Sequence, residues 1–271
     1  MVKYLILFTL FSQLTFAGSI EKEVENILGK ASFSANKGLV SVLFKKRTDF
    51  FRGSKVDILQ VLQTLKKNDL LDLRFQETTT IQLSFATTET KPLLFIKTIK
   101  DVLNSLGYNH TLTAKALRDT SGFLWKVTIR SASVIDPVVL AKEVRKRGGY
   151  LNSVKRYSKD NWRYNVDIYR AHLLAKKLPL NKEVSLKKPL KPYWIETTGA
   201  RTIKIDSKNG NKWHPYIVFY DADLNILDNY TKERKSYNAT LKIPNGSKYV
   251  KISDIYTLEN IKRGLKIQIR K

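Results

Sequence analysis

The chain has 271 residues, with 49 lysines and arginines against 24 aspartates and glutamates, and it contains no cysteine. The lack of cysteine excludes disulfides, a lipid-modified N-terminal cysteine and a thiolate metal site. Residues 20–183 hold 30 cations against 16 carboxylates and residues 184–271 hold 18 against 8. The positive excess is therefore spread along the chain, and its field favours anionic partners.

The first 19 residues, MVKYLILFTLFSQLTFAGS, predict an export signal. Lys3 precedes an apolar run, and the small residues Thr15 and Ala17 fit the −3 and −1 positions of a cleavage site. A membrane anchor needs about 20 apolar residues, more than this stretch offers. We therefore expect a mature chain that begins near Gly18, lies in the periplasm and has no integral membrane segment.

After a lead-in segment at 20–54, the pattern helix–strand–strand recurs at 55–86, 91–131 and 136–169. The helical segments are VDILQVLQTLKKNDL, KPLLFIKTIKDVLNSLGY and DPVVLAKEVRKRGGY, and alternating runs such as LDLRF and IQLSF follow them. Asp136 and Pro137 are typical of the start of the third helix. The residues Asp119-Thr120-Ser121-Gly122 are predicted to form the turn between the two strands of the second copy. One such unit cannot bury both of its faces, so residues 55–177 are predicted to form repeated modules that pack together.

Residues 184–271 show only strand and turn signals. Short alternating or aromatic runs, among them RTIKIDS, HPYIVFYD and KYVKISD, are separated by turn residues. About seven such strands predict a jelly-roll-like β-sandwich. The expected fold class of the whole chain is therefore α+β.

Two resemblances follow from these segments. HPYIVFYDADLNIL and ATLKIPNGSKYVKISD resemble carbohydrate-binding and galactose-binding-like β-sandwich modules, which implies sugar binding. With the export signal, WHPYIVFYD and YVKISD are similar to segments of uncharacterised periplasmic proteins of the Campylobacterota. Such proteins include accessory parts of flagellar motors, which implies a structural role. Neither resemblance assigns a role to an individual residue.

The acidic stretch YDADLNILDNY at 220–230 begins like a calcium loop. An EF-hand loop would require glycine at its sixth position and glutamate at its twelfth, where this chain has Ile226 and Lys232. Residues 220–225 are therefore predicted to be a strand end followed by a hairpin turn.

No motif for metal binding or catalysis is evident. The three histidines, His110, His172 and His214, lack the spacing of a zinc hydrolase, and no nucleophile elbow, phosphate-binding loop or dinucleotide fingerprint occurs. We therefore expect no metal, no cofactor and no catalysis. A pair of opposed carboxylates, as in a glycosidase, stays an open alternative, because their separation cannot be read from sequence.

Aromatic residues at strand junctions of the second half form the candidate ligand site. Large rigid rings stack on sugars or anchor protein interfaces at little entropic cost. The candidates are Tyr193, Trp194, Trp213, His214 and Tyr216. The alternative is that Trp194 and Trp213 fill the core of the sandwich.

The leading functional hypothesis is an exported, non-catalytic adaptor that docks to an envelope assembly, such as a flagellar motor. Its partner would be an envelope protein, peptidoglycan or another anionic polymer. The alternative is a protein that binds peptidoglycan or another glycan. Nucleic-acid binding ranks last, because no recognisable nucleic-acid-binding signature accompanies the dispersed cations.

Overall fold

The computed structural model describes residues 20–271, and the predicted export signal at 1–19 lies outside the described residues. Within 20–271, no helix combines the length and apolar character that crossing a membrane requires. The chain divides into two compact units, of which the first ends at Ala171 and the second begins at His172.

The first unit contains six helices, a two-stranded ribbon and a five-stranded sheet among its described residues. Its elements in chain order are α1 (20–28), α2 (Lys30–Ala35), α3 (Lys37–Leu43), a 3-10 turn (Arg47–Phe50), β1 (Phe51–Arg52), β2 (Lys55–Val56), α4 (Ile58–Lys67), β3 (Arg74–Thr87), α5 (Pro92–Ser105), β4 (Leu112–Asp119), β5 (Gly122–Ser133), α6 (Pro137–Lys146), β6 (Tyr150–Ser158) and β7 (Asn161–Asp167). The large sheet has the order β4-β5-β3-β7-β6. Its pairs are antiparallel, except that β3 runs parallel to β7.

One face of this sheet is apolar and carries the helices. Alternate residues of its three central strands are buried there: Ile81, Leu83, Phe85, Phe123, Trp125, Val127, Ile129, Trp162, Tyr164 and Val166. Helix α5 packs on this face through Phe95, whose ring lies 5.9 Å from that of Phe123. Helix α6 contacts both α4 and α5. Because side chains alternate along a strand, the polar residues in between point to the opposite face.

The predicted repeat is only partly realised. The second and third copies form α5-β4-β5 and α6-β6-β7, but the two strands predicted after the first helix are one continuous strand, β3. No glycine, proline or asparagine interrupts the stretch from Arg74 to Thr87, and its β-branched threonines favour extended structure. All three copies share one sheet.

Local signals at element ends are confirmed. Asp136 caps α6, since its Oδ1 accepts hydrogen bonds from the N–H groups of Val138 at 2.9 Å and Val139 at 3.4 Å. The predicted turn between β4 and β5 ends at Gly122, which has φ +130°. A Cβ there would lie 2.0 Å from the carbonyl oxygen of Thr87, so only glycine fits.

The lead-in segment at 20–54 is part of the first unit. Val24 and Ile27 in α1 and Val40 in α3 are buried. These helices therefore contribute apolar surface to a core, which the sequence had not predicted.

The second unit is all-β, as predicted. Its strands are β8 (Val184–Ser185), β9 (Tyr193–Glu196), β10 (Thr202–Ser207), β11 (Pro215–Tyr220), β12 (Ile226–Thr231), β13 (Asn238–Lys242), β14 (Tyr249–Asp254) and β15 (Leu265–Arg270). They form two four-stranded antiparallel sheets, with the orders β13-β10-β15-β8 and β12-β11-β14-β9. One cluster of buried residues, including Ile195, Ile203, Phe219, Ile252 and Ile267, draws on both sheets.

The division between the units lies before the predicted boundary at 177. Leu178 is buried in the core of the second unit, and the N–H of Lys176 donates to the carbonyl of Trp194 at 2.8 Å. Residues 172–177, predicted as the end of the modules, therefore belong to the second unit. The prediction followed the end of the helical pattern and could not detect backbone pairing with a distant strand.

Candidate binding surfaces

One of the predicted ligand-binding residues, Trp213, belongs to the core of the second unit, and another, Tyr193, packs against that core. Trp213 is fully buried, and its indole N–H donates to the carbonyl of Ser253 at 2.9 Å. Its predicted role in a ligand platform is therefore wrong, and the core alternative is correct for this residue. Tyr193 is half-buried against the same core, and its hydroxyl donates to the carbonyl of Lys187. Burial raises the pKa of Tyr193 to about 12.

Trp194 and Tyr216 lie on the outer face of the sheet β12-β11-β14-β9. Their neighbours Ile195 and Ile217 belong to the core, so the two rings point away from it. Tyr220 lies on the same face, with its ring 5.1 Å from that of Trp194. Lys251, directly opposite Trp194 in the register, places its ammonium 5.3 Å from the Tyr216 ring. We call Trp194, Tyr216, Tyr220 and Lys251 the aromatic face.

The sequence had not selected Tyr220 or Lys251. The alternation of PYIVFY puts Tyr216 and Tyr220 on one face of β11, and this signal was available. The position of Lys251 beside Trp194 follows from the pairing of β9 with β14. No local pattern specifies that pairing.

His214 takes part in a loop that is organised by a buried carboxylate. Its Nδ1 lies 3.5 Å from Oδ2 of Asp254, and its backbone N–H donates to the same oxygen at 2.7 Å. Oδ1 of Asp254 accepts from the N–H groups of Tyr256 at 2.9 Å and Thr257 at 3.1 Å and from Nδ2 of Asn260 at 3.0 Å. Burial acts to raise the pKa of Asp254, but these hydrogen bonds outweigh it and hold the pKa below its usual value. The carboxylate therefore holds the loop in place.

Within the acidic stretch, residues 221–225 form the predicted hairpin turn between β11 and β12. Oδ1 of Asp221 accepts from the backbone N–H groups of Asp223 at 2.9 Å and Asn225 at 2.8 Å, as in an Asx turn. Within residues 20–271, no group of three or more histidine, aspartate or glutamate side chains is arranged to hold a metal ion.

Side chains of both charges line one cavity of the first unit, of about 290 Å³, among them Glu23, Asp57, Arg52, Lys55 and Arg145. Burial raises the pKa of Glu23, although Lys22 acts in the opposite direction. Asp57 caps α4 by accepting from the N–H of Leu59 at 3.1 Å, and it also lies 3.3 Å from the guanidinium of Arg145. Asp57 is thus engaged in holding the fold.

The face of the five-stranded sheet opposite the helices, here called the polar face, carries a row of cations. The register places Lys115 opposite Lys126, Lys126 opposite Ser84, Ser84 opposite Arg163 and Arg163 opposite Lys155. Directly opposed residues project on the same side of a sheet. One line of side chains therefore crosses all five strands, and we call Lys115, Lys126, Arg163 and Lys155 the cationic row.

The positive charge of the cationic row is not neutralised by neighbouring carboxylates. Among residues 20–271, none of its four members forms an ion pair within 4.0 Å. Lys115 and Lys155 are exposed, whereas Lys126 and Arg163 are half-buried. Two like-charged pairs, Lys115 with Lys126 and Arg163 with Lys155, are directly opposed, an arrangement that destabilises a sheet.

Sequence reasoning missed the cationic row. A local signal existed, because Lys126 alternates with the buried Trp125 and Val127, and Arg163 alternates in the same way with Trp162 and Tyr164. The strand order, which brings the four cations into one line, depends on pairings between distant segments.

No protein-family model matches the chain, and neither a curated protein nor a solved structure does so. Function is therefore inferred from the cationic row and the aromatic face.

Proposed function

We propose that this is an exported, non-catalytic docking protein of the periplasm, which attaches to an anionic partner in the cell envelope through the cationic row. The observation that carries the proposal is the opposed like-charged pairs of that row, with no carboxylate of residues 20–271 in ion-pair range. Such pairs cost folding free energy. A partner that supplies negative charge turns this cost into binding free energy.

An adaptor role in an envelope assembly accords with the division into two units. The first unit supplies the cationic row, and the second supplies a separate outer face. The strand orders β13-β10-β15-β8 and β12-β11-β14-β9 support a jelly roll for the second unit. The resemblance to periplasmic proteins of the Campylobacterota makes a flagellar motor one assembly to test.

The test compares two double variants that each lose two positive charges. Lys115→Gln/Lys155→Gln removes the two exposed members of the cationic row, and Lys67→Gln/Lys142→Gln removes two exposed cations from α4 and α6. Sedimentation with native cell envelopes, repeated over a range of salt concentrations, measures binding. We expect only the row variant to bind more weakly, with a shallower slope of log K against log salt, because binding releases fewer counterions from the anionic partner for each cation lost. Equal losses of binding in the two variants would show that binding depends on net charge alone, and they would refute the proposal.

The aromatic face supports a second candidate function, the binding of neutral sugar rings in peptidoglycan or another glycan. The supporting observation is that Trp194, Tyr216 and Tyr220 share one outer face of the second unit. Sugar rings present apolar faces that stack on aromatic side chains.

Retention on insoluble peptidoglycan tests this candidate. Trp194→Ala is compared with Tyr237→Ala, because Tyr237 is an exposed aromatic residue just outside β13 and apart from the aromatic face. We expect retention to fall in the first variant alone. Equal retention of the parent and Trp194→Ala would reject the sugar-binding function.

A further inference from the structure

The cationic row has the shape of a site for an extended ligand. It runs across the strands, and four strand spacings of about 4.8 Å give it a length of about 19 Å. Its charges lie in two pairs at the ends, Lys115 with Lys126 and Arg163 with Lys155, separated by the small, buried Ser84. A small anion can contact only one pair. A linear polymer with repeated charges can contact both.

Hydrogen-bonding side chains flank the cationic row. On one side, Gln82 lies directly opposite Thr128 and Asn161. On the other, Asn165 lies opposite Ser153, and the apolar Ala86 and Leu124 continue that row. Amides and hydroxyls both donate and accept hydrogen bonds, as ligands rich in hydroxyl groups require.

Arg163 is held in place for recognition of an oxyanion. Its Nε donates to Oδ1 of Asn165 at 3.2 Å, and Nδ2 of Asn165 donates to the hydroxyl of Ser153 at 2.6 Å. A guanidinium whose orientation is fixed binds a carboxylate or phosphate with two parallel hydrogen bonds.

The same surface is poorly suited to nucleic acid. Proteins that bind single strands add aromatic side chains on which the bases stack. The cationic row has an aromatic neighbour in Tyr157, whose ring lies 5.1 Å from the ammonium of Lys155, but one ring does not form a platform for successive bases. Gln82, Thr128, Asn161, Leu124 and Asn165, in the adjacent rows, are not aromatic. The chemistry beside the cations thus matches sugar hydroxyls better than bases.

We infer that the partner of the cationic row is a linear anionic glycan, whose chain lies across the strands of the first unit. This inference rests on the proposed docking function and names the ligand class for the same surface. The carboxylates or phosphates of the glycan contact the four cations, and its hydroxyls contact the flanking amides. The ligand differs from the neutral sugars considered for the aromatic face, and it binds to a different unit.

The experiment measures binding of the full mature chain to polygalacturonate, a linear glycan with one carboxylate per sugar, with neutral dextran as a comparison. We expect the row variant Lys115→Gln/Lys155→Gln to lose at least tenfold in affinity and Lys67→Gln/Lys142→Gln to stay within twofold of the parent. In a series of galacturonate oligomers, affinity should rise steeply until the oligomer reaches about 19 Å, the length of the row, and change little beyond it.

Three results would overturn the inference. Affinity that rises in proportion to oligomer length, with no change of slope near the length of the row, would indicate unspecific charge attraction. Tighter binding to oligo(dT) of equal charge, or to vesicles containing phosphatidylglycerol, would assign the row to nucleic acid or to a membrane surface. Failure to bind polygalacturonate would exclude the glycan, but the docking function would stand if envelope binding still depended on Lys115 and Lys155. If envelope binding is unchanged in the row variant, the docking function fails as well.

Discussion

Replacement of Lys115 tests the energetic basis of the cationic row. Lys115 is an exposed residue of the edge strand β4 and lies directly opposite the half-buried Lys126. The Cβ atoms of residues opposed in this way are about 5 Å apart, and the pairwise effects of their side chains amount to about 0.2–1 kcal/mol.

We therefore expect Lys115→Gln to increase the free energy of unfolding of the first unit by about 0.2–1 kcal/mol. Lys115→Glu, which turns the repulsion into attraction, should increase it further, and Lys115→Arg, which keeps the charge, should leave it unchanged. Since the Debye length is about 3 Å at 1 M salt, the gains should largely disappear there. Both Lys115→Gln and Lys115→Glu should nevertheless bind envelopes more weakly than the parent.

Hydrogen exchange of the β5 amides at low and high salt measures the effect in the first unit alone. The informative result is the order of stability: Lys115→Glu should be the most stable, Lys115→Gln should come next, and the parent and Lys115→Arg should be the least stable. If Lys115→Gln destabilises the sheet, or if Glu does no better than Gln, repulsion within the row is not a cost to folding. The main support for the docking function would then be lost.

Three further predictions concern the second unit. Trp213→Ala should destabilise the second unit by about 3–5 kcal/mol, because a fully buried indole and its hydrogen bond to Ser253 are lost. Denaturant unfolding measures this loss, with Trp213→Phe as the milder control. Tyr193 binds its proton more tightly in the folded state, so its contribution to stability should be complete below pH 10 and lost as the pH rises through about 12. The variant Tyr193→Phe should lose less stability in alkaline melting curves, and a pH dependence identical to that of the parent would contradict the prediction. Asp254 has a lowered pKa, so its contribution to stability should be present above the unfolded pKa of 3.8 and lost as the pH falls through the folded pKa. The variant Asp254→Asn should be less stable than the parent at pH 7 and approach the parent's stability in acid, and a difference in stability that stays constant with pH would contradict the assignment.

The elements that sequence predicted well are those specified by their own residues. Helix α6 follows from Asp136 and Pro137, and the β4–β5 turn follows from its final Gly122. Sequence failed where a distant segment decides the structure. It assigned residues 172–177 to the wrong unit, because the partner of Lys176 lies in β9. The division of β3 into two strands was a different error, since the local sequence from Arg74 to Thr87 contains no glycine, proline or asparagine to end a strand.

The candidate site was predictable to a smaller degree. An aromatic residue at a strand junction is equally compatible with the core and the surface, and the structure separates Trp213 from Trp194 on this point. The cationic row was beyond prediction, since its four members come from four strands whose order is not encoded locally.

The parallel pairing of β3 with β7 has a consequence for incomplete chains. Strand β3 carries the buried residues Leu83 and Phe85, but its second neighbour is made of residues 161–167, near the end of the first unit. A chain that ends anywhere before β7 would leave the N–H and C=O groups along one side of this apolar strand without a neighbour. Such an edge recruits strands from other molecules. Truncation before residue 161 should therefore yield aggregates, and a proteolytic fragment of this unit should remain soluble only if it retains β7.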